Sequence, residues 1–307
     1  MIGRLTHAAT AALLLVTVPY ASAPCAAGEP ARPQAIPSVT MHGAMGLLPQ
    51  ASFADVLAQV IPSVVTIRVT SVVPVPVEIK PGDSAEVDRP PRTRTARSGG
   101  SGVIIDAAKG HILTNNHVID GAVAIEIVLS DGRLMPARLV GRDIGTDLAV
   151  VEVEDRRLAA LPLGNSDTVR VGDVVLAIGN PFGLEGTATM GIVSASMRTD
   201  IGHEAFEDFF QIDAVINPGN SGGALVNTRG ELVGINTATA GTAGNVGIGF
   251  AIPINMARTV KDEIVRHGRM QRGALGLIAE DLTYERDATL MSGTNRGELV
   301  TDVVPGS

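Results

Sequence analysis

Short apolar runs separated by Gly, Asn, Asp and Pro dominate the chain. SVVTIRVT (63–70), SGVIID (101–106), HILTNN (111–116), AIEIVLS (124–130), RLMPARLVG (133–141) and LAVVEVE (148–154) are followed by DVVLAIG (173–179), MGIVSAS (190–196), GGALVN (222–227), ELVGINT (231–237) and GIGFAIP (247–253). β-branched residues recur in them at a spacing of roughly eight to twelve residues with no helices between, which predicts an all-β barrel or sandwich architecture. Asp131-Gly132, between two of the runs, reads as a hairpin turn. Two segments break the pattern. Ser52-Phe53-Ala54-Asp55 resembles a capping box and predicts a short helix that Pro62 ends. INMARTVKDEIVRHG (254–268) places Met256, Val260 and Ile264 on one helical face, with Gly268 at the C-terminal cap position. Residues 74–98 hold five prolines and many charges and predict a long surface loop.

Composition adds three constraints. Hydrophobic residues make up 45% of the 307 and charged residues 18%, enough for a sizeable core. Aromatics are only 3%, so that core is built from Val, Ile, Leu and Ala. The formal charge of −8 and the lack of a basic stripe argue against a nucleic-acid partner. The N-terminus, MIGRLTHAATAALLLVTVPYASAPCAAG, has a basic start, an apolar stretch and small residues after it, as in a secretory signal too short to span a membrane. Cleavage after Ala21-Ser22-Ala23 or after Cys25-Ala26-Ala27 fits, and a lipidated Cys25 is a third reading. The expected organisation is a signal peptide over 1–27, a flexible leader over 28–50, a catalytic domain over 51–268 and a C-terminal remainder over 269–307. Export without a transmembrane anchor in the mature chain follows. Loss of Cys25 with the signal would leave no cysteine for a disulfide.

Candidate chemistry centres on NPGNSGGAL (217–225), where one serine sits among Gly and Asn with apolar residues on both sides. Glycine serves where the backbone must take angles closed to other residues or where another group approaches closely. A plain turn would explain the stretch, and so would a nucleophile flanked by backbone N–H donors. Of six histidines, only His117, in TNNHVIDGA, stands in a turn-like segment at the end of an apolar strand. Asp147, in GTDLAVVEV, precedes another such strand. Each alone reads more simply as structural. Together, His117, Asp147 and Ser221 follow the chain order of the chymotrypsin-type triad in its general template. Serine needs a base, which imidazole supplies near neutral pH, and the carboxylate orients the ring. The N–H groups of Gly219 and Ser221, with Asn220 as a third candidate, would receive the oxyanion. Asp213 reads as structural support.

On these motifs the chain resembles the HtrA/Deg family of exported serine proteases. SGVIID, ILTNNHVIDGA, GRDIGTDLAVVEVE, VGDVVLAIGNPFGL, INPGNSGGALVN, GELVGINTA and GIGFAIP carry the match, which covers most of residues 50–268. The resemblance implies a chymotrypsin-like double β-barrel, ATP-independent cleavage of misfolded proteins, a homotrimer or larger oligomer, and no metal or other cofactor. It also implies switching roles for the loops over 180–184, 197–208 and 239–245. RGALGLIAEDL (272–282) and GELVTDVVPGS (297–307) resemble the start of the family's PDZ domain, expected to be incomplete because a whole one needs roughly 50 further residues.

Six residues before Ser221, where a trypsin-like pocket would carry an acid, stands Val215. Val215, Ile216 and Thr239 are therefore expected to line a pocket for small or medium aliphatic side chains on the acyl side of the cut. The alternatives are a proteolytically silent holdase or scaffold on the same fold, and a sandwich lectin or adhesin in which GNSGG is only a turn. The last leaves His117 and Asp147 without a purpose.

Overall fold

The computed structural model describes residues 52–75, 93–180, 186–199, 201, 206–239, 247–273, 275–281 and 298–304. The signal and leader expected before residue 51 lie outside these residues. So do most of the residues in the three loops expected to switch.

Twelve strands close into two six-stranded barrels. The first holds β1 (Val64–Pro74), β2 (Thr93–Asp106), β3 (His111–Asn115), β4 (Ala122–Val128), β5 (Leu134–Asp143) and β6 (Leu148–Glu152), in the order β1-β2-β3-β6-β5-β4. The second holds β7 (Val174–Gly179), β8 (Thr187–Arg198), β9 (Phe209–Ile212), β10 (Ala224–Asn227), β11 (Leu232–Thr239) and β12 (Gly249–Pro253), in the order β10-β11-β12-β9-β8-β7. The expected all-β class thus resolves into a double barrel rather than a sandwich.

Several strands carry runs of consecutive apolar residues because they are buried on both faces. Ile104, Ile112, Ala149 and Val151 fill the first barrel. Val175, Ala177, Leu225, Val233 and Ala251 fill the second. Their immediate neighbours Val103, Leu113, Val150, Leu176, Val226 and Ile252 belong to a third cluster that spans both barrels. Alternate side chains point to opposite sides of a strand, so one set packs inside a barrel and the other seals the barrels together. At about 25 cal/mol per Å² of apolar surface removed from water, this shared layer is a principal source of the barrels' association.

Two expectations are corrected. The proline-rich loop is shorter than 74–98, because β1 and β2 continue as a ladder from Val64↔Val103 out to Pro74↔Thr93. Pro74 sits at the strand end, where a missing N–H does least harm. The second correction is β9, FFQI, absent from the strands read above. It pairs with both β8 and β12 and so closes the second barrel. Its two phenylalanines are buried, but four residues between charged segments carry too little period to register as a strand.

The helices follow expectation more closely. α1 (Ala54–Val60) runs into a 3-10 turn over Ile61–Ser63, and the Ser52 hydroxyl accepts from Ala54 N–H at 3.1 Å, one residue short of the capping-box bond. Asn116–Ile119 forms one helical turn, α2, immediately after β3. α3 (Ile254–His267) buries Ile254, Ala257, Val260 and Ile264 against the inter-barrel cluster, and Gly268, at φ 73°, donates its N–H to Ile264 O at 2.7 Å. Strands β13 (Leu277–Asp281) and β14 (Glu298–Val303) pair as a separate antiparallel ribbon.

The segment after α3 is tied to the first barrel. The Arg272 guanidinium donates to both carboxylate oxygens of Asp143, at 2.7 and 2.5 Å, and Thr146 Oγ1 donates to the same carboxylate at 2.5 Å. Arg272 also lies over the Phe206 ring, 4.0 Å from its centroid. Burial pushes the Asp143 carboxyl upward, but the bonds from Arg272 and Thr146 outweigh it and hold the group below its ordinary value. A carboxyl lowered in the fold contributes stability above its unfolded pKa, about 3.9, and loses that contribution as pH falls below it. Arg272→Ala should therefore cost about 2 kcal/mol at neutral pH, and the gap from the parent should narrow as the pH drops below about 4. Urea denaturation of both proteins across that range checks this; a gap that ignores pH refutes it.

Candidate active site

Register places the imidazole and the acid. β3 and β6 pair with Asn115 opposite Leu148, so the residues just past this end, His117 and Asp147, leave the ladder side by side. Asp147 takes a left-handed backbone, φ 54° and ψ 40°, which turns its carboxylate back toward α2. Asn115 Nδ2 and Asn116 N–H both donate to Asp147 O at 3.0 Å and fix the turn. The Asp147 carboxylate then accepts three bonds: His117 N–H at 2.9 Å on Oδ1, and His117 Nδ1 at 2.7 Å and Thr237 Oγ1 at 2.9 Å on Oδ2. An ionised carboxylate only accepts, so Nδ1 carries the hydrogen and the ring's lone pair sits on Nε2. The His117 side chain is 50% exposed while that of Asp147 is 5% exposed, so the ring can meet a ligand and the acid cannot.

Ser221 comes from the other barrel, on the turn that enters β10. Gly222, at φ 81°, fits only because it lacks a side chain: a Cβ there would collide with Ser101 O and Thr114 Oγ1 of the first barrel. Ser101, fully buried on β2, stitches the barrels together. Its N–H donates to Ser221 O at 2.8 Å, its hydroxyl donates to Gly219 O at 2.6 Å, and the same hydroxyl accepts from Asn180 N–H at 2.8 Å. With its carbonyl drawn onto Ser101, Gly219 takes φ 100°, a conformation that favours glycine. Among the described residues, the N–H groups of Gly219 and Ser221 have no acceptor. Asn220 N–H is committed to Asn217 O at 3.0 Å, so it does not join them as a third donor in this structure.

The Ser221 hydroxyl donates to Thr237 O at 2.9 Å and not to the His117 ring. Thr237 thus touches both partners, Asp147 through its hydroxyl and Ser221 through its carbonyl. His117, Asp147 and Ser221 therefore meet around one residue of β11. Neither Thr237 nor Ser101 stands out as a site residue in the sequence, although both are polar side chains within apolar or glycine-rich runs.

The three residues expected to line the acyl-side pocket are placed differently from one another. Val215 is 41% exposed, and its carbonyl accepts from Thr189 Oγ1 at 2.8 Å. Ile216 is 2% exposed and packs with the second barrel's core. Thr239 ends β11, paired with Gly249. Asp213 accepts Ile192 N–H at 2.6 Å, a bond that holds the turn after β9 against β8. His111 is buried on β3, and burial lowers its pKa. Among the described residues, no three His, Cys, Asp or Glu side chains gather to hold a metal ion, and no helix is long and apolar enough to cross a membrane.

The family model for a trypsin-like peptidase domain matches residues 100–235. The periplasmic serine endoprotease DegP of Salmonella typhimurium is 50% identical over 210 residues, which is 68% of this chain and 44% of that protein. The periplasmic pH-dependent serine endoprotease DegQ of Escherichia coli K12 is 45% identical over 268 residues, 84% of this chain and 58% of that one. The chain thus spans about half the length of these curated relatives. A solved structure of the HtrA-type protease AlgW with a decapeptide superposes with a TM-score of 0.68 at 44% identity, over 83% of this chain and 80% of that one. With two closed barrels, a match to the trypsin-like peptidase domain and 44% identity to an HtrA-type protease over 80% of that chain, the chain belongs to the HtrA/Deg family of serine proteases.

Proposed function

We propose that this chain is a serine endopeptidase of the periplasm that cleaves unfolded or misfolded proteins without ATP, as a homotrimer or larger assembly. The similarity to the periplasmic endoproteases DegP and DegQ supports the periplasmic location. The observation that carries the reading is the short bond from His117 Nδ1 to Asp147, which leaves Nε2 as an acceptor, while Thr237 links the same carboxylate to Ser221. In the proposed cycle, the Ser221 hydroxyl leaves Thr237 O, gives its proton to Nε2 and attacks the substrate carbonyl carbon. Asp147 stabilises the imidazolium. The N–H groups of Gly219 and Ser221 receive the oxyanion. Collapse breaks the C–N bond, and the amine departs with the proton from His117. Water repeats the sequence on the acyl-enzyme. The vacated Thr237 carbonyl becomes available to a substrate backbone N–H.

Val215 gives the acyl-side pocket an exposed apolar side chain where a basic-specific pocket would carry an acid, while Ile216 lies in the barrel core. The bond from Ser221 to Thr237 O is the one observation that favours a silent form, in which the protein holds unfolded chains without cutting them.

Unfolded casein separates the two readings. The protein should degrade it and Ser221→Ala should be slower by about 10⁶; equal turnover by both refutes the protease, and suppression of aggregation without turnover by either establishes the holdase. A peptide library should be cut after Val, Ala or Ile, and dominant cutting after Lys or Arg would refute the pocket assignment. Thr237→Ala should lower kcat/KM by about tenfold or more, the effect of one lost bond to a charged group, with most of the loss in kcat. An unchanged kcat would mean that Thr237 does not position Asp147.

A further inference from the structure

A cleft of about 410 Å³ opens beside Gly219, and none of Val215, Ile216 or Thr239 lines it. Pro218 and Gly219 form one wall; β1 and β2 form the other, with Ile67, Gly99, Arg68 and Arg97. Arg68 stands directly across the ladder from Gly99, so the two point to the same side of the sheet, and Arg97, two residues before Gly99, points there as well. Gly99 lies against the backbone of β1, where a Cβ would collide with Ile67 O. Neither guanidinium forms an ion pair or a hydrogen bond with the described residues, although the chain as a whole carries a formal charge of −8. The nearest register partner of opposite sign is Glu126, across from Arg68 on β4. Arg97 faces Thr70.

Gly219 supplies one of the N–H groups assigned to the oxyanion, so the scissile carbonyl would sit at the end of this cleft. With the acyl half of the substrate running along β11, the half that departs as the amine must leave toward β1 and β2. We infer that this cleft is the leaving-side subsite of the protease, and that Arg68 and Arg97 make it select a carboxylate within the first few residues after the cut. This rests on the protease reading given above. The carboxylate comes from an Asp or Glu side chain in an interior cut, or from the C-terminus itself in a cut near the end of a chain. Guanidinium groups are always charged and pair with carboxylates in a two-pronged geometry, so the preference should hold across the neutral pH range.

The experiment uses quenched fluorescent peptides with one acyl side ending in Val and leaving sides Ala-Ala-Ala, Ala-Glu-Ala and Ala-Lys-Ala. All are amidated, and a free-acid Ala-Ala-Ala peptide reports the terminal carboxylate. At low salt, kcat/KM should favour Glu over Ala about two- to fivefold, as for a partly exposed charge pair, and should disfavour Lys. The ratio should approach one near 0.5 M salt, roughly where screening reaches contact distances. Arg68→Ala with Arg97→Ala should level the ratio within that variant, and Arg97→Glu should shift it toward Lys. A gain confined to the free-acid peptide assigns the site to chain ends, and a gain in the amidated Glu peptide assigns it to side chains. Binding of the same peptides to Ser221→Ala, read by fluorescence anisotropy, gives the preference without turnover, so a failure of proteolysis is distinguishable from a failure of this subsite. No carboxylate preference in the parent protein, or one that survives the double substitution, overturns the inference.

Discussion

Ser101 reaches across the seam between the barrels, and the site depends on that crossing. Its N–H, carbonyl and hydroxyl meet Ser221 O, Thr114 Oγ1 and Gly219 O respectively, while the hydroxyl also accepts from Asn180 N–H. A hydroxyl buried this fully loses its bonds to water and must have each one replaced, so the alternatives to this geometry are costly. The turn that carries Gly219 and Ser221 is therefore held by the other barrel as much as by its own bonds. The apolar layer between the barrels brings the two halves close without fixing their register, because hydrophobic burial has no direction. The polar bonds at Ser101 and Thr237 supply the register.

Division of labour between the barrels follows from the same arrangement. One contributes His117 and Asp147 from adjoining strand ends; the other contributes Ser221 and the strand residue that contacts both sides. Strand register and hydrogen bonds hold each pair internally, and the seam sets the distance between pairs. The connector between the barrels is laced to both. Leu161 N–H donates to Ile104 O in the first, and Gly164 N–H donates to Leu232 O in the second.

Much of this was legible in the residues. The strands, the hairpin at Asp131-Gly132 and the amphipathic face of α3 follow from local pattern and turn chemistry. His117, Asp147 and Ser221 drew attention because each is an unusual residue at the mouth of an apolar run. What local pattern could not supply was partnership. Ser101 and Thr237 are ordinary strand polars until the facing barrel is in place, and FFQI becomes a strand only when β8 and β12 flank it. Ile216 has the composition of a pocket wall, yet its depth in the barrel core depends on the packing around Gly249. Asn220 shows the limit at the scale of one atom, since whether its N–H is free depends on where Asn217 O points.

Asp147 answers to two demands at once. Its backbone lies in a region that most side chains avoid, and its carboxylate must accept from three donors. Glycine or asparagine would suit the first demand, and glutamate would meet only the second, with an extra methylene to place. No single replacement preserves both, so this position has few neighbours in sequence space and selection cannot adjust it by small steps. Variation in rate or specificity across related enzymes must then accumulate elsewhere, on surfaces that leave this corner of the chain untouched.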